Sequence, residues 1–170
     1  MTEIKNKPYL MAVLSGVAYR ESCLLKDVES FVTMAKSNYL ELPIIENIAN
    51  SNNIHISNAI EKIKNLNSKR IGFLGLSFKP GTDDLRNSPY VILAEHLIGK
   101  GYNLKIFDKN INLSKLLGSN KRFIEEELSH IDRLLVNEIE EIFDYEIILL
   151  NQDYKIEHLV NESHVVIDLR

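Results

Sequence analysis

Residues 70–89 read "RIGFLGLSFKPGTDDLRNSP". The run from Ile71 to Leu76 is continuously apolar, the pattern of a strand buried on both faces of a parallel sheet. The polar loop "FKPGTDDLRN" follows. Ser88 then stands where a helix N-cap is expected, and Pro89 occupies the first helical position, where its missing N–H costs nothing. Strand, loop and helix in this order form the opening unit of an α/β fold.

Working outward toward the C-terminus, the helix carries Val91, Leu93, Ala94, Leu97 and Ile98 and stops at "GKG", residues 99–101. "YNLKIFD" predicts the next strand. "INLSKLLG" and "KRFIEEELS" predict short helices, and "RLLV" a short strand or turn. "EIEEIF" reads as helical, "YEIILL" as a strand, "KIEHLV" as helical and "HVVIDL" as the last strand. The β-α-β-α-β-α-β alternation predicts a Rossmann-like parallel sheet with helices on both faces.

Toward the N-terminus the pattern is helical. Val28, Phe31, Val32 and Ala35 recur at helical spacing over Lys26–Ser37, and "LELP" breaks that helix. Pro43 opens a longer one, with Ile44, Ile45, Ile48, Ile56, Ile60 and Ile63 in one stripe and a polar gap at "NSNN". A striped helix outside a sheet needs a partner, either its own domain or another copy of the chain. "NLNSK" ends it. The stretch up to Gly16 is ambiguous. Two parts are therefore expected: residues 1–67, an α-helical connector region, and residues 68–170, the α/β domain.

Composition narrows the function classes. The chain has 170 residues, 45% hydrophobic and 26% charged, which allows a full core without disulfides or metals. A formal net charge of -4, with no basic patch interleaved with aromatics, does not suggest nucleic acid as a partner. The apolar run after Pro8 is short and lacks a small-residue cleavage site, so it does not read as a signal peptide. No stretch is long enough to cross a bilayer. One cysteine, Cys23, cannot form an internal disulfide and is compatible with a reducing cytoplasm, the expected location. His55, His96, His130, His158 and His164 are scattered, so no metal site is expected.

The first strand–helix loop carries most of the chemistry. In open α/β sheets ligands bind at the carboxyl ends of strands. This loop offers Lys79 and Arg86 as cations for a phosphate, together with a capped helix N-terminus. It contains neither G-x-G-x-x-G nor a P-loop, and its alternative reading is a solvated loop with an Asx turn and a helix cap. Asp108 ends the second strand, where a dinucleotide site places its ribose-binding acid; without the glycine fingerprint, a strand-end Asp is more often a turn former. Cys23 reads either as a small buried hydrophobe or as a thiolate activated by Lys26 and the start of a helix.

"SCLLKD" at residues 22–27, followed one long helix later by "GFLGLSFKPGTDDLRNSP", resembles the nucleotide-sugar 6-dehydrogenases. That family includes the GDP-mannose and UDP-glucose dehydrogenases. "LIGKGYNLKIFDKNI" and "GSNKRFIEEELSHI" are similar to the GDP-mannose branch. The resemblance runs from about Gly16 to the end. It implies an oxidation of a sugar C6 alcohol to the acid with two NAD+, through a thioester. By resemblance, Cys23 matches the nucleophile, and Asp27 a carboxylate that orients water or handles protons. Lys26 matches a cation near the cofactor, and Lys79 and Arg86 match positions near the nucleotide sugar and cofactor. The helix from Pro43 matches the connector that forms the family homodimer. Three features depart from the pattern. Arg20 and Glu21 replace a Gly-Gly pair, Leu25 stands where Pro is common, and the NAD-binding domain and an upstream lysine have no counterpart. The resemblance thus implies the rear portion of such a dehydrogenase, inactive alone. A non-catalytic GDP- or UDP-sugar-binding or dimerisation module is the alternative, as is a partner to a separate NAD-binding protein.

Overall fold

The computed structural model describes residues 10–13, 22–77, 81–86, 88–111, 122, 126 and 131–170. Five strands, β1 (Leu10–Val13), β2 (Arg70–Leu74), β3 (Asn103–Phe107), β4 (Ile147–Leu150) and β5 (Val165–Asp168), form one sheet in the order β1-β5-β4-β2-β3. Every pairing is parallel. The expected four strands are all present. The ambiguous N-terminal stretch supplies a fifth, β1, with Leu10 opposite Val165 and Val13 opposite Asp168.

Alternation along the strands builds two cores. Ile71, Phe73, Ile106, Ile147 and Leu149 face one side, where they meet α3 (Pro89–Gly99) and the C-terminal half of α2 (Pro43–Lys64). Leu74, Ile148, Leu150 and Val166 face the other, against Ile142, Ile156 and Val160. The period of two is what a pleated strand imposes. Because both faces are covered, both sets are apolar and the sequence reads as a continuous hydrophobic run.

The second face differs from the expectation of regular helices. "EIEEIF" forms a 3₁₀ turn, Ile139–Asp144, and "KIEHLV" makes only a turn at 157–159. Ile156 and Val160 still bury their side chains there. The burial was legible, and the backbone state was not: two apolar residues four apart satisfy a turn as well as a helix. "RLLV" divides between a helical turn, Ile131–Leu134, and a bridge of Leu135 to Ile106. The helices expected in 111–118 and 121–129 lie almost wholly outside the described residues.

The connector consists of α1 (Ser22–Ser37) and α2. Helix α1 starts four residues earlier than the periodicity from Lys26 suggests, so the segment "SCLLKD" forms its first turns. Between the helices Tyr39 takes a left-handed φ of 56°, with Tyr39 N–H on Lys36 C=O and Leu40 N–H on Ala35 C=O. That bond pair is the usual glycine-centred helix stop, here built on a tyrosine. No helix among the described residues is long and apolar enough to cross a membrane.

Candidate functional site

The chain runs from β2 out to β3 and returns to the other side of β2 as β4, so the order of connection reverses between β2 and β4. That reversal opens a crevice beyond the carboxyl ends of those strands, the expected ligand position in such a sheet. The loop after β2, Asp108 after β3 and the polar residues Asn151 and Gln152 after β4 all gather at this edge.

The loop after β2 is pinned from within. Leu85 is fully buried in the core shared with α3. Its neighbours Asp84 and Arg86 turn outward and pair, with Arg86 Nε and Nη2 donating to the two Asp84 oxygens at 2.9 and 2.8 Å. Asp84 also accepts the Arg86 backbone N–H, and its own N–H is held by Thr82 Oγ1. The Arg86 hydrogen bond holds the Asp84 carboxyl below the usual carboxylate range. Burial opposes this, and the charge of Lys26 adds to the lowering. Arg86 remains exposed with Nη1 uncommitted to Asp84, a cation held in place and still open to an anion. Lys26, on the first turns of α1, lies within electrostatic reach of this loop.

Asp108 is 5% exposed and turned inward. Its Oδ2 accepts from Leu76 N–H at 2.8 Å, Ser77 N–H at 3.0 Å, Ser77 Oγ at 3.1 Å and Gln152 Nε2 at 3.2 Å. Its Oδ1 accepts from Asn110 N–H at 2.9 Å. Of the two sequence readings, the turn former holds, and the carboxylate also clamps the start of the β2 loop. A ribose-binding acid would have to project into the crevice, and this one is spent on the protein. Beside it, Asn151 Nδ2 donates to the carbonyls of Gly75 and Ser77, and Gln152 Nε2 donates to Ser77 Oγ at 2.6 Å. The carbonyl oxygens of both amides are buried and find no partner among the described residues. Their orientation follows from their partners, since a flipped Gln152 would aim its oxygen at a carboxylate and a flipped Asn151 would aim its oxygen at two carbonyls. Gly75 has φ 91°, and a Cβ there would lie 2.6 Å from Gln152 Cγ.

The sequence-selected residues are placed as follows. Lys26 and Asp27 are exposed on α1. Cys23 is the second residue of α1, and its side chain lies outside the described residues; so does the whole of Lys79. Arg86 is at the crevice edge. The sequence reading missed Ser77, Asn151 and Gln152. A polar pair directly after the apolar run "IILL" was the available signal, because strand ends at a connection reversal line the crevice. It also missed the cluster at the end of β5, where Arg170 is forked onto Asp168 and reaches Asp153 at 2.9 Å. Among the described residues no three His, Cys, Asp or Glu side chains are grouped as metal ligands.

Known proteins are similar to this chain in sequence and in fold. Residues 72–170 match the UDP binding domain of the UDP-glucose/GDP-mannose dehydrogenase family. The GDP-mannose 6-dehydrogenase of Pseudomonas savastanoi pv. phaseolicola is 40% identical over 159 residues, which cover 91% of this chain and 36% of that protein. A solved ternary complex of GDP-mannose dehydrogenase from Pseudomonas aeruginosa superposes with TM-score 0.79 and 33% identity, covering 98% of this chain and 37% of that one. UDP-glucose dehydrogenase from Pyrobaculum islandicum gives TM-score 0.72 at 25% identity over 91% of this chain and 35% of its own. The chain thus spans about a third of the length of the relatives it matches. The match of sequence and of sheet together makes this chain a member of the UDP-glucose/GDP-mannose dehydrogenase family.

Proposed function

We propose that the chain is the C-terminal part of an NAD-dependent nucleotide-sugar 6-dehydrogenase of the GDP-mannose branch, an enzyme taking GDP-mannose to GDP-mannuronate. Residues 1–67 supply the thiol-bearing segment and the connector, and residues 68–170 the nucleotide-sugar domain. Lys79 and Arg86 bind the diphosphate, with Lys26 and Arg86 also facing the cofactor side. Cys23 is the nucleophile that carries the sugar as a thioester, and Asp27 orients the water that releases the acid. A thiolate suits this task because it adds readily to a carbonyl and leaves readily from an acyl group.

The observation that supports this reading is electrostatic. Lys26 of the "SCLLKD" helix is near enough to the Asp84–Arg86 pair for its charge to add the smallest of the effects that bear on the Asp84 carboxyl, which supports a shared role for that helix and the β2 loop. The chain's own sheet crevice does not fit the pyrophosphate of NAD, because Asp108 occupies the donors at the end of β2. No hydride step is therefore assigned to these residues, and the 170-residue chain alone is expected not to reduce NAD+.

Titration calorimetry with GDP, GDP-mannose, UDP and UDP-glucose tests the binding half. We expect saturable GDP binding, tighter than UDP, that Arg86→Ala weakens about tenfold or more, the scale of one charge-assisted phosphate contact. Absence of heat at millimolar nucleotide would remove the reading. NADH formation from GDP-mannose by this chain alone would refute the inactivity.

A second reading, an assembly module, draws on the connector. Phe31, Met34, Tyr39, Leu40, Ile44 and Ile54 are exposed large apolar residues on α1, α2 and their junction. We propose that this surface pairs with a second copy of the chain, in addition to the binding role.

A further inference from the structure

We propose that Asp108 is a built-in anion: it fills the phosphate cradle at the end of β2 and so makes this sheet selective against dinucleotides. Backbone N–H groups that converge just past a strand, beside a glycine with positive φ, make an anion-binding concavity. Here Leu76 N–H and Ser77 N–H converge beyond Gly75, whose φ is 91°. Ser77 Oγ and Gln152 Nε2 complete a set of four donors around one point. That point holds a carboxylate oxygen, Asp108 Oδ2, at 2.8–3.2 Å from all four. Four donors around one oxygen is the coordination of an oxyanion, not of a neutral acceptor.

The occupant has two consequences. No donor of the cradle is left for a pyrophosphate, and an incoming phosphate meets a buried negative charge at contact range, where water screens poorly. Gln152 adds bulk, since its side chain lies over Gly75 where the phosphate backbone would approach. The acid that a dinucleotide site would turn toward ribose is thereby turned toward the protein. An anionic ligand is left the outer face of the loop, where Arg86 is exposed.

The cradle is separate from the nucleotide-sugar contacts proposed for Arg86, and inorganic phosphate is the probe that reads it alone. Asp108→Gly removes the carboxylate and leaves all four donors. Thermal unfolding of this variant and of the wild-type chain is followed against phosphate, with chloride at matched ionic strength. We expect a saturable gain in the variant of about 3–5 °C beyond that of the wild type, the effect of a weak ligand well above its dissociation constant. The Leu76 and Ser77 amide resonances should move with phosphate in the variant and stay still in the wild type. Equal responses of the two proteins would overturn the proposal, as would saturable movement of those amides in the wild type with phosphate or NAD+. Should Asp108→Gly be unfolded in chloride, refolding is compared in the two salts. Recovery in phosphate alone supports the proposal, and no recovery in either counts against it. GDP affinity and its dependence on Arg86 are read separately, so a failure of the nucleotide-sugar reading leaves this result interpretable.

Discussion

Ser88 is fully buried, and its hydroxyl serves two elements at once. It accepts from Tyr90 N–H at 3.3 Å, capping α3, and donates to Leu76 C=O at 2.8 Å, tying the helix start to the end of β2. Ser88→Ala removes both bonds and leaves a buried carbonyl unpaired. We expect a loss of about 2 kcal/mol, the sum of a cap and an orphaned acceptor, read as a lower urea midpoint at unchanged slope. A loss under about 0.5 kcal/mol would mean that water replaces the hydroxyl. Half of this role was legible. The cap follows from Ser-Pro before an apolar run, a local signal, whereas the bond to Leu76 reaches back 12 residues and has no local signature. Asp108 divides in the same way: its hold on Asn110 N–H is a turn signal, and its hold on Gln152 spans 44 residues. The charge acts outward as well. Burial first and Asp108 second push the Tyr154 hydroxyl up to about 12.

Among the elements, the strands were the most legible, because continuous apolar runs such as "YEIILL" admit few other readings. The connections between them were not, since a two-residue apolar anchor serves a helix, a 3₁₀ turn or a plain turn. Gly72 shows what the connections demand of a strand. It lies mid-β2, opposite Lys105 and Ile148, and faces the 3₁₀ turn. A Cβ there would stand 2.4 Å from Ile142 Cγ2 and 2.7 Å from Ile142 C=O. The side chain could yield, but the carbonyl is fixed by the turn, where Tyr145 N–H bonds to it at 3.2 Å. Gly72→Ala therefore lifts Ile139–Asp144 off the sheet. We expect a loss of about 3 kcal/mol, at the upper end for overpacking, with faster amide exchange in that turn. The control is Gly99→Ala, whose Cβ meets nothing within 4 Å at the end of α3. Equal stabilities for the two variants would show that the turn adapts.

On the scale of the whole molecule, α2 divides its apolar stripe. Ile56, Ile60 and Ile63 are buried with α3 in the main core, while Ile44, on the same helix, is 84% exposed. The two partners for this stripe could not be told apart from the residues alone, because periodicity reports an apolar face and not what covers it. The described structure divides the answer: the C-terminal half of α2 belongs to the α/β domain, and the N-terminal half is left with α1. Six of the seven exposed large hydrophobics among the described residues lie between Phe31 and Ile54, and the seventh, Ile92, is on α3. Such a concentration marks an interaction surface more than ordinary surface scatter does. If a second copy covers it, light scattering should give twice the chain mass at micromolar concentration. Ile44→Glu would then place a charge in the apolar contact and weaken the dimer at least tenfold, toward a monomeric mass, with the melting of the isolated chain little changed because Ile44 has few neighbours to lose. Ile92→Glu, at 44% exposure on α3, should leave the dimer intact. A wild-type chain that is monomeric at all concentrations, or equal responses to the two substitutions, would remove the second copy as the occupant of this surface.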